Sequence, residues 1–338
     1  MPIKDRVQRL PLAFLPTPLH PLTRLSASIQ DLALNIRLWI KRDDQTGLAG
    51  GGNKTRKLEL LVADALAQGA DTLITTGAVQ SNHCRQTAAA AAKAGLACHL
   101  VLGGQPPDHV TGNLLLDRLL GAEIHWTTRE NRLLRLSALA DELRAEGRRP
   151  YLITYGGSDP VGATGYVLAI EELLEQTRER RLRLDAIMVA SSSGGTQAGL
   201  VAGAWHLGWD VPILGISIDE TADRLRAKVA DLATHTAAHL GWSHTFAPSD
   251  IWVDDGYLGG GYGVMAALER DAILRMARTE GILLDPVYTG RALGGLLDLL
   301  QKPTGLPRFR GTGADETNIL FWHTGGSPAL FAYAQELL

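Results

Sequence analysis

The run Gly50-Gly51-Gly52 delivers Asn53 and Lys54 to the start of a helical pattern. Three glycines let a backbone approach a ligand closely, and a lysine at a helix N-terminus sets its positive charge against the helix dipole. That placement, together with burial, disfavours the ammonium and leaves the neutral amine that can bond a carbonyl group. Taken alone, the segment is more simply a flexible loop followed by a basic solvent face, with Lys41, Arg56 and Lys57 either as surface charges or as charges standing one layer behind the ligand-contacting residues.

Three further motifs stand where apolar strands hand over to helices, the usual place for ligands in open α/β sheets. Gly77 to His83 (GAVQSNH) offers backbone N–H groups, the Ser81 hydroxyl and the Asn82 amide at a terminus suited to a carboxylate. Capping of the next helix by Ser81 or Asn82 accounts for the same residues. His83 reads as a hydrogen-bonded structural group, because no second metal ligand stands at a matching spacing. Ser191-Ser192-Ser193-Gly194-Gly195-Thr196 gathers small residues whose N–H and hydroxyl groups can converge on a phosphate, and neither GK[ST] nor GxGxxG is matched. Leu284 to Gly290 (LDPVYTG) and His323 to Gly326 (HTGG) present Tyr288, Thr289 and Thr324, an aromatic face and two neutral hydroxyls; turn structure and core packing are their alternative use.

The elements that must position these residues alternate between helical and short apolar patterns from residue 54 onward, which predicts parallel sheets covered by helices. Strands are expected at Thr72 to Thr76, Ala97 to Leu102, Glu123 to Trp126 and Tyr151 to Thr154, making a four-strand unit. After the Gly-rich stretch Gly156 to Gly165, a long polar-faced helix is expected to lead to a second, larger sheet. Its strands lie at Ala186 to Ala190, Ile213 to Ile218, Ile251 to Val253 and Ile319 to Trp322. Lys302 to Glu316 reads as a surface loop.

The 338 residues, 45% hydrophobic with net charge −3, suit a two-lobed globular protein and argue against a nucleic-acid partner. No segment resembles a signal peptide or a membrane span of about 18 apolar residues, and two cysteines, Cys84 and Cys98, fit a reducing cytoplasm.

Together the motifs GGNKTRKLE, QSNH, GATGY, GGTQAGL, GYG, LLDPVYTG and HTGG, in this order, closely resemble the D-cysteine desulfhydrase and aminocyclopropane-carboxylate deaminase family. The likeness runs from about Leu15 to Ala332. It implies an α/β, two-domain pyridoxal-phosphate fold of type II (tryptophan-synthase-β-like), with residues 1–52 and 168–338 forming a large domain and 53–167 a small one. It also implies a pyridoxal 5'-phosphate cofactor, a small amino-acid substrate and a homodimer. The catalytic residues implied are Lys54, which holds the cofactor covalently, Ser81, Tyr262 and Tyr288. Asn82, Ser193, Gly194, Gly195, Thr196, Tyr288 and Thr324 join Lys54 as cofactor contacts. Ser81, Asn82, His83, Tyr262 and Thr289 face the substrate.

Within that family the deaminase branch has Glu in place of Thr289 and Leu in place of Thr324. A carboxylate beside the pyridine nitrogen strengthens the electron sink, and a neutral hydroxyl does this poorly. Expelling thiolate needs less of a sink than opening a cyclopropane. The two threonines therefore favour β-elimination from D-cysteine over ring opening, with L-cysteate sulfo-lyase and a catalytically inert amino-acid-binding homologue as alternatives. Ser192, the Gly259 to Gly261 run and Met265-Ala266 depart from the usual desulfhydrase pattern.

Overall fold

The computed structural model describes residues 3–29, 35–302 and 316–337. In chain order the first half comprises β1 (Leu19–Pro21), α1 (Thr23–Ala27), β2 (Ile36–Arg42), α2 (Lys54–Ala67), β3 (Thr72–Ala78), α3 (Asn82–Ala94), β4 (Ala97–Gly103), α4 (Gly112–Leu119), β5 (Glu123–Thr127), α5 (Arg132–Ala145) and β6 (Pro150–Leu152). The second half comprises α6 (Pro160–Glu179), β7 (Ala186–Ser191), α7 (Gly195–His206), β8 (Ile213–Ser217), α8 (Ala222–His239), β9 (Trp252–Asp254), α9 (Ala267–Glu280), α10 (Thr289–Gln301), β10 (Thr317–His323) and α11 (Ala334–Leu337).

Two sheets result. One has four parallel strands in the order β5-β4-β3-β6; the other has six, in the order β1-β2-β10-β7-β8-β9. The larger sheet is parallel except at its edge, where β1 runs antiparallel to β2. Helices cover both sheets, so their central strands are buried on both faces and read as continuous apolar runs, as β7 does in Ala186–Ser191. The α/β class and every strand expected from residue 72 onward are present. The expected surface loop from Lys302 to Glu316 lies outside the described residues apart from its two ends.

Three expectations need correction. Strands β1 and β2 were not foreseen, because Arg37, Lys41 and Arg42 break the apolar run that β2 needs to be seen. The helix after the Gly-rich stretch starts at Pro160, inside it, with the Asp159 carboxylate accepting from the Gly162 N–H. The expected polar face is confined to the second half of α6, at Glu171, Glu175, Arg178 and Glu179, whereas Gly162 to Ile170 is buried without a break. A Cβ on Gly165 would stand 2.4 Å from the Arg56 carbonyl oxygen, so glycine is what lets α6 press against α2.

Of the two placements open to Lys41, Arg56 and Lys57, surface or one layer behind the site, the structure has the second: all three are fully buried. Arg56 donates to Asp43 through Nε at 3.0 Å and to both Glu172 oxygens at 2.9 and 3.0 Å. Lys41 Nζ donates to Glu172, to Gln176 Oε1 at 2.6 Å and to the Thr17 carbonyl at 2.7 Å. Tyr166 Oη and Trp322 Nε1 complete Asp43. This network fastens α2, α6, β2 and β10 together close behind the start of α2, where Lys54 stands.

Candidate active site

Between the two sheets a cleft is lined by Asn53, Lys54, Ser81, Asn82, His83, Tyr155, Gly156, Ala190 to Gly194, Thr196, Tyr288, Thr324 and Gly325. All four motifs singled out in the sequence meet here, although they come from residues 53 to 325 of the chain. Lys54 is the first residue of α2, and the loop before it is tied down where the Asn53 N–H donates to the Thr324 carbonyl at 2.9 Å. The Asn53 amide also donates to Thr196 Oγ1 at 3.1 Å, joining the starts of α2 and α7.

The amine of Lys54 borders the serine-glycine turn. Gly156 (φ +70°) lies between them: a Cβ there would stand 2.5 Å from Ser193 Oγ and 3.5 Å from Lys54 Nζ. Burial lowers the Lys54 ammonium to about 8, so an appreciable share is neutral near physiological pH. Neighbouring Lys57 donates to the Gly156 carbonyl and to Ser158 Oγ. Its own proton is weakened well below the lysine range by burial and then by the charge of Lys54.

The turn Ser191 to Thr196 closes on α7, with Gly194 left-handed at the cap. Ser193 Oγ and Ser158 Oγ share a hydrogen bond at 2.7 Å, and the Gly195 N–H donates to Ser158. The buried Ser191 hydroxyl has no hydrogen-bond partner. A helix N-terminus with small residues and a spare hydroxyl suits a phosphate.

On the opposite wall Ser81 caps α3 by accepting from the Cys84 N–H. Asn113 Nδ2 donates to Asn82 Oδ1 at 2.9 Å, which leaves the Asn82 amide nitrogen for the cleft. His83 receives or gives a proton at Thr75 Oγ1, 2.9 Å away, and burial followed by the charges of Lys54 and Lys57 keeps it neutral. Tyr288 Oη bonds Tyr262 Oη at 2.8 Å with the rings edge to face, while Arg129 stands over the outer face of Tyr262. Burial holds both phenols well above their ordinary range, so both stay protonated.

Tyr262 sits in the loop between β9 and α9. Buried Arg291, paired with Glu269, donates to the Gly261 and Val264 carbonyls and so holds that loop by its main chain. Of the residues singled out, Tyr262, Gly195 and Thr289 do not form the cleft surface. Thr289 is fully buried, and its hydroxyl donates to Asp285 Oδ1 and accepts from the Asp285 N–H. Sequence reasoning gave no site role to Asn53, Tyr155 or Gly156. Their signal was position: one precedes the lysine, and two follow the last strand of the small sheet. No acidic residue lines the cleft among the described residues.

Fold and cleft together define a two-sheet α/β scaffold with a buried lysine set against an anion-binding turn. The chain matches the family described as "Pyridoxal-phosphate dependent enzyme" over residues 10–325 and belongs to it, so pyridoxal phosphate is its cofactor. It is 45% identical to the "D-cysteine desulfhydrase" of Salmonella typhi over 334 residues, 97% of each chain. A solved structure titled "Crystal Structure Analysis of the ACC deaminase homologue" superposes with a TM-score of 0.86 at 38% identity, covering 99% of this chain and 97% of that one. A pyridoxal 5'-phosphate-dependent aspartate racemase shares the fold at a TM-score of 0.67 and 16% identity, covering 96% of this chain and 94% of that one.

Proposed function

We propose that the chain is a pyridoxal-phosphate-dependent lyase that converts D-cysteine and water to pyruvate, ammonia and hydrogen sulfide. The observation that carries this is the Lys54 amine beside the Ser191 to Thr196 turn, in a chain 45% identical to proteins named D-cysteine desulfhydrase. When bound, the cofactor supplies an electron sink for a carbanion at the substrate α-carbon.

The chain's own residues supply the rest. Lys54, with its lowered proton affinity, anchors the cofactor aldehyde and then takes the α-proton. The turn holds the phosphate, with Ser193, Gly194, Gly195 and Thr196 as its N–H and hydroxyl donors. Asn82 turns its amide nitrogen to the cofactor ring, and Ser81, Asn82 and His83 receive the substrate carboxylate. Tyr288 faces the ring, and Tyr262 reaches the substrate side through Tyr288. Thr324 provides the neutral hydroxyl near the ring nitrogen, while Thr289 acts from behind the wall through Asp285. The lack of an acidic lining residue among the described residues supports thiolate expulsion over cyclopropane opening.

We read residues 53–167 as a small domain around the four-stranded sheet and 1–52 with 168–338 as a large one, α6 crossing the boundary. The working form is read as a cytoplasmic homodimer, which light scattering after size exclusion tests. No helix among the described residues is long and apolar enough to cross a membrane.

The deciding assay offers D-cysteine, L-cysteine, L-cysteate, D-serine and the cyclopropane amino acid to purified enzyme and quantifies keto acids, sulfide and sulfite. Pyruvate with sulfide from D-cysteine should form fastest. Sulfite from cysteate, or 2-oxobutanoate from the cyclopropane acid, as the faster product would replace the assignment. Lys54→Ala should remove cofactor absorbance and turnover together.

A further inference from the structure

A second cluster of chemistry-bearing side chains lies away from the cleft, on the four-stranded sheet. In the parallel register of β4 and β5, His99 is paired with Glu123, so the two project from one face, and His125 follows two residues along. The His99 Nδ1 to His125 Nε2 distance is 3.0 Å, and Glu123 oxygens stand 3.3 Å from His125 Nε2 and 3.7 Å from His99 Nδ1. The imidazole centroids are 5.3 Å apart.

Those lengths are close to what one small ion demands. A tetrahedral Zn2+ with bonds of about 2.0 to 2.1 Å spaces its ligand atoms roughly 3.3 Å apart and the centres of two bound imidazoles roughly 5 Å apart. The rings need only swivel so that both lone pairs converge; the strands can stay in place. Two imidazoles and a carboxylate are also the donor set that divalent transition metals prefer, with water free to take the remaining position.

We propose that His99, Glu123 and His125 form a binding site for one divalent transition-metal ion, of which Zn2+ fits best, on the outer rim of the small sheet. None of the three lines the cleft. From α5, Arg135 and Glu142 face His125, and they satisfy each other through a hydrogen bond of 2.6 Å. The ion would clamp an exposed edge: β5 has β4 as its single neighbour in the sheet. Without metal the same atoms make a hydrogen-bonded His–His pair beside a carboxylate, and that is the competing account.

The test uses the holoenzyme, freed of metal with a chelator and dialysed against graded Zn2+. Glu123→Gln is the informative variant, because a side chain 65% exposed can change without disturbing the core; His125→Asn is the second. Wild type should take up one equivalent, and each variant should bind at least tenfold more weakly. Added Zn2+ should raise the melting midpoint of wild type and leave both variants where they were. Cofactor absorbance, equal in all three proteins, shows that the fold is intact. Uptake weaker than about 100 µM in wild type, or equal uptake by wild type and both variants, overturns the site.

Discussion

Replacing Glu172 with Gln tests the buried ionic network behind the Lys54 loop. Glu172 accepts from Arg56 twice, from Lys41 and from the Thr17 N–H, and the variant keeps the shape while removing the charge. Among the described residues, Lys41 and Arg56, both buried, would then have only Asp43 as a charged partner between them. Burial alone would raise the Glu172 carboxyl, but Arg56 and then Lys41 outweigh it and hold it at about 2 against an ordinary 4.5. At about 1.4 kcal/mol for each tenfold change in proton affinity, that displacement corresponds to about 3 kcal/mol. Breaking a buried pair by removing one partner costs about 3 to 5 kcal/mol, so the two figures agree.

An unfolding entropy of roughly 2.1 cal/mol/K per residue gives about 0.7 kcal/mol/K for a chain of this length. Glu172→Gln should therefore lower the melting midpoint by about 4 °C, read by circular dichroism on the holoenzyme at neutral pH. The sign with pH follows from a depressed carboxyl. Its contribution is complete above about pH 4.5 and is lost as pH falls towards 2. The gap between wild type and variant should narrow over that range. A midpoint within about 1 °C of wild type at neutral pH, or a gap that widens on acidification, would refute the reasoning.

Two further outcomes follow from the cleft. Because burial brings Lys54 to about 8, cofactor uptake by the apoenzyme, followed by absorbance, should accelerate about tenfold per pH unit below that value and level off above it; a rate that still climbs towards pH 10 contradicts a lowered lysine. Gly156→Ala sets a Cβ 2.5 Å from Ser193 Oγ in a left-handed backbone, and strain of about 1 to 2 kcal/mol should weaken cofactor binding about tenfold with the fold retained. Unchanged affinity in an absorbance titration counts against Gly156 as the spacer between lysine and turn.

Much of this was legible in the sequence where the signal is local. Strand β3, helix α3 with its Ser81 cap and Gly95 stop, and the handover from β7 into the serine-glycine turn each declare themselves within about twenty residues. What was missed depends on distant partners. Arg56 and Glu172 are 116 positions apart, so nothing near Arg56 shows that a carboxylate waits to bury it. Strand β2 was hidden for the same reason, since Lys41 looks like a solvent charge until Glu172 and Gln176 are seen above it. Thr289 had the right neighbours along the chain, but Asp285 holds its hydroxyl on the far side of the wall.

The grip of Arg291 on the Tyr262 loop has an evolutionary corollary. A guanidinium that clasps the oxygens of Gly261 and Val264 reads the path of the main chain: it makes no demand on the side chain of Val264, while Gly261, at φ +98°, is kept to glycine by its backbone. Side chains on that rim that the tether does not touch, such as Met265 and Ala266, are therefore free to change without releasing the loop.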